Sequence, residues 1–327
     1  MEQIADPDNL REAFMLAARG KSHRGSVQRF RANLHNELSE LRYELLNDTL
    51  CLDHYRFFVI YDPKRRLICA ADFKLRVAFH AIMRVCHRYF EAFQTDDSYA
   101  SRKGRGQYAA LERAQGFCKR FAWYAKLDVR RYFDSIDHDV LMMQLKRMFK
   151  DRRLLSLFER LMVSYEVNPR KGLPIGNLTS QYFANHYLAI ADHYVREKLH
   201  VPAMVRYMDD ILIFANDKQT LLQQLRQYED FVRKSLRLEF HPAIVNRTSY
   251  GVPFLGYVVR GEHLRLSARS LKRFMNKTAE LYWLSEVGLL TDRQYKERYK
   301  ALYAFIAKAQ IRSLTNKFAS KRFLTIV

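Results

Sequence analysis

The stretch "VRYMDDILIF", residues 205–214, places two adjacent aspartates, Asp209 and Asp210, between two runs of apolar and β-branched side chains. Such runs on both sides of a short polar step predict two strands of a hairpin with the aspartates at its tip. Asp is common in turns, so the pair by itself is most simply a turn in a buried sheet. A catalytic role requires a further carboxylate at the same edge of the sheet.

A second predicted strand supplies that carboxylate. In "AKLDVRRYFDSI", residues 125–136, Asp128 ends an apolar strand. Two strands that bring aspartates to one edge of a sheet can hold two Mg²⁺ ions roughly 3.5–4 Å apart. Mg²⁺ favours carboxylates together with substrate phosphate oxygens, which suits phosphoryl transfer. The nearby Asp134, Asp137 and Asp139 follow the strand instead of ending it, so they are predicted to cap the next helix.

The charge balance predicts a polyanionic partner. The 327 residues include 56 Lys and Arg against 35 Asp and Glu, a formal net charge of +21. From Arg260 onward the chain holds 15 basic and 5 acidic side chains. Basic side chains that neutralise phosphates release counterions, so nucleic acid is the favoured partner. A highly soluble surface and a partner made of anionic lipid are the alternatives.

The composition also excludes several classes of protein. Hydrophobic residues make up 48% of the chain, which indicates a packed core and argues against disorder. The apolar runs are short and carry charges, and the N-terminus lacks the pattern of a secretory signal. The four cysteines lie far apart, so we expect reduced side chains and no zinc site. These features predict a cytoplasmic protein without a membrane partner.

Helical and strand patterns are mixed along the chain. Residues 55–72, "YRFFVIYDPKRRLICAAD", are typical of strand, turn and strand. The loop "NPRKGLPIGNLTS", residues 168–180, opens a helix, and the last strand pattern, "VPFLGYVV", ends at residue 259. From Ser267 onward the pattern is helical. Because regular βαβ alternation is missing, the sequence predicts an α+β fold with an antiparallel central sheet and a helical C-terminal lobe.

Taken together, these segments resemble a known family, the reverse transcriptases. "LDVRRYF" (127–133) looks like the family's motif A, "LPIGNLTSQ" (173–181) its motif B, "YMDD" (207–210) its motif C and "FLGY" (254–257) its primer grip. They occur in the family's order and at plausible spacing. The resemblance implies a right-hand polymerase with these parts: N-terminal helices and fingers at 1–125, a palm at 126–262 that includes a motif B segment at 170–200, and a basic helical thumb at 263–327.

The resemblance assigns the catalytic carboxylates. Asp128 and Asp209 would bind two Mg²⁺ ions, for which Mn²⁺ can substitute, and Asp210 would be a supporting carboxylate and metal ligand. Tyr207 and Met208 would lie under the primer end, although both also fit the core of a hairpin. The primer grip would consist of Phe254, Leu255, Gly256 and Tyr257.

The resemblance also implies a dNTP site. Arg66, and more weakly Lys64, match the fingers positions that grip the triphosphate. Phe133 falls at the family's steric gate, where a bulky ring would collide with a ribose 2′-hydroxyl and so select dNTPs. The motif B residues at this site would be Ile175, Gly176 and Gln181.

Three positions depart from the family's common pattern. Ile175 stands where most relatives have Gln, and Gln181 stands where most have Pro. This form of motif B resembles the reverse transcriptases of diversity-generating retroelements, which misread adenines in a template RNA. In motif D, Ile244 replaces a lysine that is a candidate general acid for pyrophosphate. His241 and Arg247 are candidate substitutes, and a water is the alternative.

The leading hypothesis is therefore an RNA-directed DNA polymerase of such a retroelement. Its partners would be a structured template RNA, the nascent cDNA, dNTPs and, as in retroelements of this type, a small basic helical accessory protein. One alternative is a defence-associated reverse transcriptase that copies a noncoding RNA during phage infection. A more distant alternative is a non-catalytic RNA-binding protein on a polymerase scaffold, which the intact Asp128, Asp209 and Asp210 argue against.

Overall fold

The structure is a computed structural model that describes residues 1–53, 55–61, 65–307 and 309. The chain divides into two compact units, each made of several segments. The first consists of Met1–Gly104, Asp128–His200 and Leu225–Pro242, and the second of Arg105–Leu127, Val201–Gln224 and Ala243–Val327. The boundaries expected for fingers, palm and thumb stay a prediction.

Twelve α-helices and nine strands lie within the described residues. The helices are α1 (Pro7–Ala18), α2 (Gly25–Ala32), α3 (Leu34–Leu46), α4 (Phe73–Phe93), α5 (Gln107–Arg120), α6 (Tyr132–Ser135), α7 (His138–Met148), α8 (Arg152–Val163), α9 (Leu178–Glu197), α10 (Lys218–Leu236), α11 (Ala268–Glu286) and α12 (Asp292–Ile306). The strands are β1 (Tyr55–Ile60), β2 (Arg66–Ala71), β3 (Trp123–Asp128), β4 (Ala203–Tyr207), β5 (Asp210–Ala215), β6 (Ile244–Arg247), β7 (Val252–Phe254), β8 (Tyr257–Val259) and β9 (Leu264–Leu266).

The first unit is mainly helical and carries one hairpin. Its long central element is helix α4, whose start is capped by Asp72 through a hydrogen bond from the Leu75 N–H. Ten side chains of α4 are buried, and α1 and α9 both pack against it. Strands β1 and β2 pair antiparallel from Tyr55–Ala71 to Ile60–Arg66, which confirms the two predicted strands, while the predicted turn at 62–64 lies outside the described residues.

The second unit contains two antiparallel sheets. The larger has the strand order β4-β5-β3-β6, and the smaller has the order β7-β8-β9. Side chains 211–215 of β5 are all buried, which explains the continuous apolar run in the sequence. Asp128 ends β3 and is also the residue at which the chain returns to the first unit.

Helices α11 and α12 follow the smaller sheet and pack on each other. Each begins at a side chain that caps it, Ser267 for α11 and Thr291 for α12. The α+β class, the antiparallel sheets and the two C-terminal helices agree with the sequence prediction. Residues 308 and 310–327, for which a helical pattern was also predicted, lie outside the described residues. Among the described residues no helix is both long and apolar enough to cross a membrane.

Candidate active site

The aspartate pair lies at the turn of the β4–β5 hairpin, as predicted. Tyr207 pairs with Asp210 across the two strands, so Met208 and Asp209 are the two residues of the turn. Met208 has φ +55°, in the left-handed region that residues other than glycine rarely adopt. The turn therefore has a backbone conformation that its neighbours must maintain.

One such neighbour is Arg206, which is 0% exposed inside the β4 strand. Its Nη1 donates a hydrogen bond of 3.2 Å to the Met208 carbonyl. A buried guanidinium is costly unless its N–H groups are bonded, so this contact ties the side chain to the turn. Arg206 was not predicted from the sequence, although a charged residue between Val205 and Tyr207 in an apolar strand is a visible signal.

Lys126 is a second side chain whose position at the site was not predicted from the sequence. Its Nζ lies 3.2 Å from Asp210 Oδ1, and the two side chains are 21% and 22% exposed. Lys126 belongs to β3, which lies next to β5 in the sheet. The contact brings the C-terminal half of β3 to the first residue of β5, and along the chain Asp128 is two residues beyond Lys126.

Asp128 is held by the segment after α10. Its carbonyl accepts a hydrogen bond of 2.9 Å from the His241 N–H, and Val129 forms a bridge with Phe240. Arg247 instead pairs with Trp123 at the start of β3 and lies 5.2 Å from its ring. Of the two side chains that are candidate substitutes for the motif D lysine, His241 thus belongs to the residue whose backbone contacts Asp128.

The aspartates can be compared with the ligand set that the implied metal needs. Within the part of the chain that the structure describes, no group of three or more His, Cys, Asp or Glu side chains could hold a metal ion by itself. Mg²⁺ is usually bound by one or two carboxylates together with waters and substrate phosphates. Asp209 and Asp210 at one turn fit this incomplete kind of site, and Lys126 balances the charge of Asp210.

In the first unit, Phe133 and the motif B loop are joined through the backbone. Phe133 is half-buried, and its carbonyl accepts a hydrogen bond of 2.8 Å from the Leu173 N–H. The ring of Tyr132 lies 5.8 Å from that of Phe133. The proposed steric gate therefore has a defined position relative to motif B.

The motif B loop also contacts strand β2. The Ile175 carbonyl accepts a hydrogen bond of 2.8 Å from the Cys69 N–H. Gly176 has φ +118°, and a Cβ there would lie 3.1 Å from both the Cys69 carbonyl oxygen and the Ile68 Cγ2. Both the backbone conformation and the limited space therefore favour glycine at this position.

The other residues expected to contact the dNTP are Arg66, Lys64 and Gln181. Arg66 is exposed at the start of β2, and Lys64 lies outside the described residues. Gln181, in the first turn of α9, accepts a hydrogen bond of 3.3 Å from the Ser101 hydroxyl. Their assignment to dNTP stays a prediction.

The predicted primer grip is a second strained turn. Phe254 pairs with Tyr257, and Leu255 and Gly256 form the turn with φ +49° and +86°. Gln107 Nε2 donates to the Leu255 carbonyl at 3.0 Å. The Tyr257 hydroxyl donates to a carbonyl of α12, and a Cβ on Gly256 would lie 2.8 Å from the Ser270 hydroxyl. This turn is therefore packed against α11 and α12.

Comparison with known proteins gives consistent results. The family described as "Reverse transcriptase (RNA-dependent DNA polymerase)" matches residues 62–259. The "Nuclear intron maturase 1, mitochondrial" of Arabidopsis thaliana is 30% identical over 97 residues, which are 29% of this chain and 14% of that protein. The "Putative COX1/OXI3 intron 1 protein" of Saccharomyces cerevisiae is 23% identical over 173 residues, 50% of this chain and 21% of that protein. The matches thus span about a fifth or less of these curated relatives.

Solved structures resemble this chain in fold. Apo telomerase from Candida tropicalis gives a TM-score of 0.52 at 10% identity, over 71% of this chain and 54% of that one. Telomerase from the same organism in complex with a TWJ fragment of telomeric RNA gives 0.50 at 9% identity, over 87% and 58%. At such identities the likeness concerns the fold alone. Together with the family match, it confirms the predicted right-hand polymerase fold.

Proposed function

The chain belongs to the reverse transcriptase (RNA-dependent DNA polymerase) family, and from this premise we propose that it synthesises DNA from dNTPs on an RNA template. The observation that carries the proposal is the Lys126–Asp210 contact, which joins the strand of motif A to the turn of motif C. In the proposed assembly, residues 1–125 supply the fingers, 126–262 the palm and 263–327 the thumb of a cytoplasmic enzyme.

The proposed metal ligands are Asp128, Asp209 and Asp210. Two Mg²⁺ ions, or Mn²⁺ in their place, would activate the attacking hydroxyl and stabilise the leaving pyrophosphate. Arg206 keeps the turn in the conformation that presents Asp209, since it is bonded to the Met208 carbonyl. Lys126 lowers the repulsion among carboxylates, because its ammonium lies against Asp210.

The proposed nucleotide site lies in the first unit. Arg66 and Lys64 would neutralise the triphosphate, and the ring of Phe133 would exclude a 2′-hydroxyl. The hydrogen bond from the Cys69 N–H to the Ile175 carbonyl supports this arrangement, because it connects the motif B loop to the strand that carries Arg66.

For the biological role, we propose a diversity-generating retroelement, with a dedicated template RNA and a small basic accessory protein as partners. The support is Ile175 and Gln181 in motif B. The alternative is a defence-associated reverse transcriptase that copies a noncoding RNA during phage infection. The intron-related names of the curated relatives do not point to either role.

The decisive experiment is DNA synthesis by the purified protein with its flanking RNA. We expect Mg²⁺-dependent incorporation of dNTPs and a cDNA whose sequence matches that RNA. Asp209→Asn is the matched negative control, because it removes one charge and almost no volume. A protein that binds the RNA and makes no DNA under any metal condition would be a non-catalytic RNA-binding protein instead.

A further inference from the structure

Three cationic side chains and a histidine of the first unit lie close together near the end of α1. Arg76 and His80 are one turn apart on α4, and Lys21 and Arg24 belong to the loop that joins α1 to α2. We call these four residues the cationic cluster. None of them has a role in the proposed polymerase site.

Arg76 determines where the cluster lies. Its Nη2 donates to the Ala17 carbonyl at 3.1 Å, in the last turn of α1. The loop begins at the same place, since the Lys21 N–H donates to the Ala18 carbonyl at 2.9 Å. The Arg24 N–H then donates to the Lys21 carbonyl at 3.0 Å. The guanidinium is therefore held against the loop that carries the other two cations.

The charge of the cluster is not balanced by acidic side chains among the described residues. Burial and then repulsion by Arg76 and Arg24 lower the pKa of Lys21. Burial, Arg76 and Lys21 likewise lower the pKa of His80. Lys74, two residues before Arg76, differs in that its Nζ lies 3.1 Å from Glu40 and 2.8 Å from Glu44. At Lys74 the two glutamates compensate the positive charge. In the cationic cluster a bound anion would do the same.

Helix α2 adds backbone donors beside the cluster. It begins at Gly25, directly after Arg24, and no side chain caps its first turn. N–H groups at a helix start favour anions. The exposed Ser22 and Ser26 supply hydroxyl donors on the two sides of Arg24.

We propose that the cationic cluster and the first turn of α2 bind a backbone phosphate of RNA. Guanidinium, ammonium and N–H donors together match the charge and the several acceptor oxygens of a phosphate. The net charge of +21 favours a polyanion over a free nucleotide. The inference rests on the proposed function for the identity of the polyanion, and it assigns the N-terminal helices a part in holding the RNA.

The first test measures binding of a short unstructured RNA oligonucleotide without dNTPs. The double variant Lys21→Gln/Arg24→Gln should bind about tenfold more weakly at physiological salt, with a log–log salt slope shallower by about 0.7 for the one phosphate that is no longer neutralised. Lys146→Gln/Lys150→Gln is the control, since it removes the same charge from two exposed positions, one in the last turn of α7 and one just after it. Equal effects in the two variants, or unchanged binding in the first, would overturn the site.

The second test locates the ligand in the unaltered protein. Acetylation of Lys21, followed by mass spectrometry, should be suppressed by the RNA and not by inorganic triphosphate at the same phosphate concentration. Protection of Lys21 by triphosphate alone would assign the site to a free polyphosphate and contradict the RNA assignment. Protection by RNA in a protein that makes no DNA would leave this site intact while the proposed function fails.

A third variant separates binding from a structural role of Arg76. Arg76→Lys keeps the positive charge and removes the planar guanidinium, whose several N–H groups can bond the Ala17 carbonyl and a phosphate at the same time. We expect RNA affinity to fall about threefold or more in the folded variant. A lower melting temperature with unchanged RNA affinity would mean that Arg76 only closes the end of α1.

Discussion

At the scale of single residues, the candidate site depends on side chains that stabilise rarely adopted backbone conformations. Met208 and Leu255 both have positive φ at the tip of a hairpin, and each turn has its carbonyl bonded by a neighbouring side chain. Arg206 does this for the first turn and Gln107 for the second. Strain of this kind persists only where the surrounding structure maintains it, and it is frequent at functional sites.

We expect Asp128→Asn and Asp209→Asn each to abolish dNTP incorporation with Mg²⁺ while RNA binding stays nearly unchanged. Each replacement removes a charge needed by the metal ions and little surface. Primer extension and RNA binding are measured on the same preparations, with Asp139→Asn as the control because Asp139 pairs with Arg170 at an exposed position. Residual activity of about a tenth or more in both variants would contradict the two-metal assignment.

Phe133→Ala should admit ribonucleotides, because removal of the ring opens space for the 2′-hydroxyl. The preference for dNTP over rNTP should fall at least about tenfold, or ~1.4 kcal/mol. The measurement is single-nucleotide extension with matched dNTP and rNTP, and Tyr165→Ala, another half-buried aromatic residue of the first unit, is the control. An unchanged ratio would show that another residue senses the sugar.

At the scale of elements, one of the three aspartates predicted to cap the helix after β3 is the N-cap of α7. Asp137 caps α7, as expected, and accepts hydrogen bonds from the N–H groups of Asp139 and Val140. Its other oxygen accepts from Arg237 at 2.9 Å. Arg237 follows α10 along the chain, so one carboxylate connects the start of α7 with the end of α10.

This carboxylate makes stability depend on pH. Burial raises the pKa of Asp137, but the bonds from Arg237 and Val140 outweigh it and leave the pKa below its ordinary value. The stabilisation is therefore complete above the unfolded pKa of about 3.9 and disappears as the pH falls through the lower folded pKa. Asp137→Asn should cost about 1–2 kcal/mol at pH 7 and less at pH 3. Urea unfolding at both pH values checks this, and a cost independent of pH would contradict it.

The C-terminal helices are expected to bind nucleic acid through exposed lysines. Deleting α11 and α12 would also remove the support of the Gly256 turn, so substitution is the cleaner test. Changing Lys272, Lys296 and Lys300 to Gln should make the log–log salt slope for a duplex shallower by about 0.9 for each phosphate that is no longer neutralised. The same change at Lys146, Lys150 and Lys234 is the control. A slope equal to that of the wild type would mean that this charge only solvates the surface.

At the scale of the whole molecule, copying accuracy is the property that links the site to a biological role. The side chain of Ile175 has no donor or acceptor, so paired and mispaired nucleotides should differ less in binding than with Gln. A hydrogen bond of ~0.5–1.5 kcal/mol corresponds to a few-fold to about tenfold change in misincorporation. Ile175→Gln should therefore reduce errors opposite template adenine more than opposite other bases, as measured by sequencing the cDNA. Rare errors at adenine in the wild type would favour the defence role.

Many secondary-structure elements and candidate site residues of this protein were predictable from its sequence, because the patterns that indicate them involve neighbouring residues. Apolar runs around Asp209 and Asp210 predict the hairpin, since alternation and turn chemistry are properties of neighbouring residues. The ends of β3 and β5 and the cap at Asp137 follow for the same reason. The family resemblance then supplied roles for Asp128, Phe133 and the motif B residues, which no periodicity assigns.

Only the tertiary structure decided which distant side chains meet. The contacts of Lys126 with Asp210 and of the His241 backbone with Asp128 depend on strand order and register, and neither is encoded in a short stretch of sequence. The cationic cluster is a further case, since Arg76 and Lys21 are far apart along the chain and meet because α1 packs on α4. Local sequence therefore determined the chemical groups and the elements that carry them, while long-range packing determined their partners.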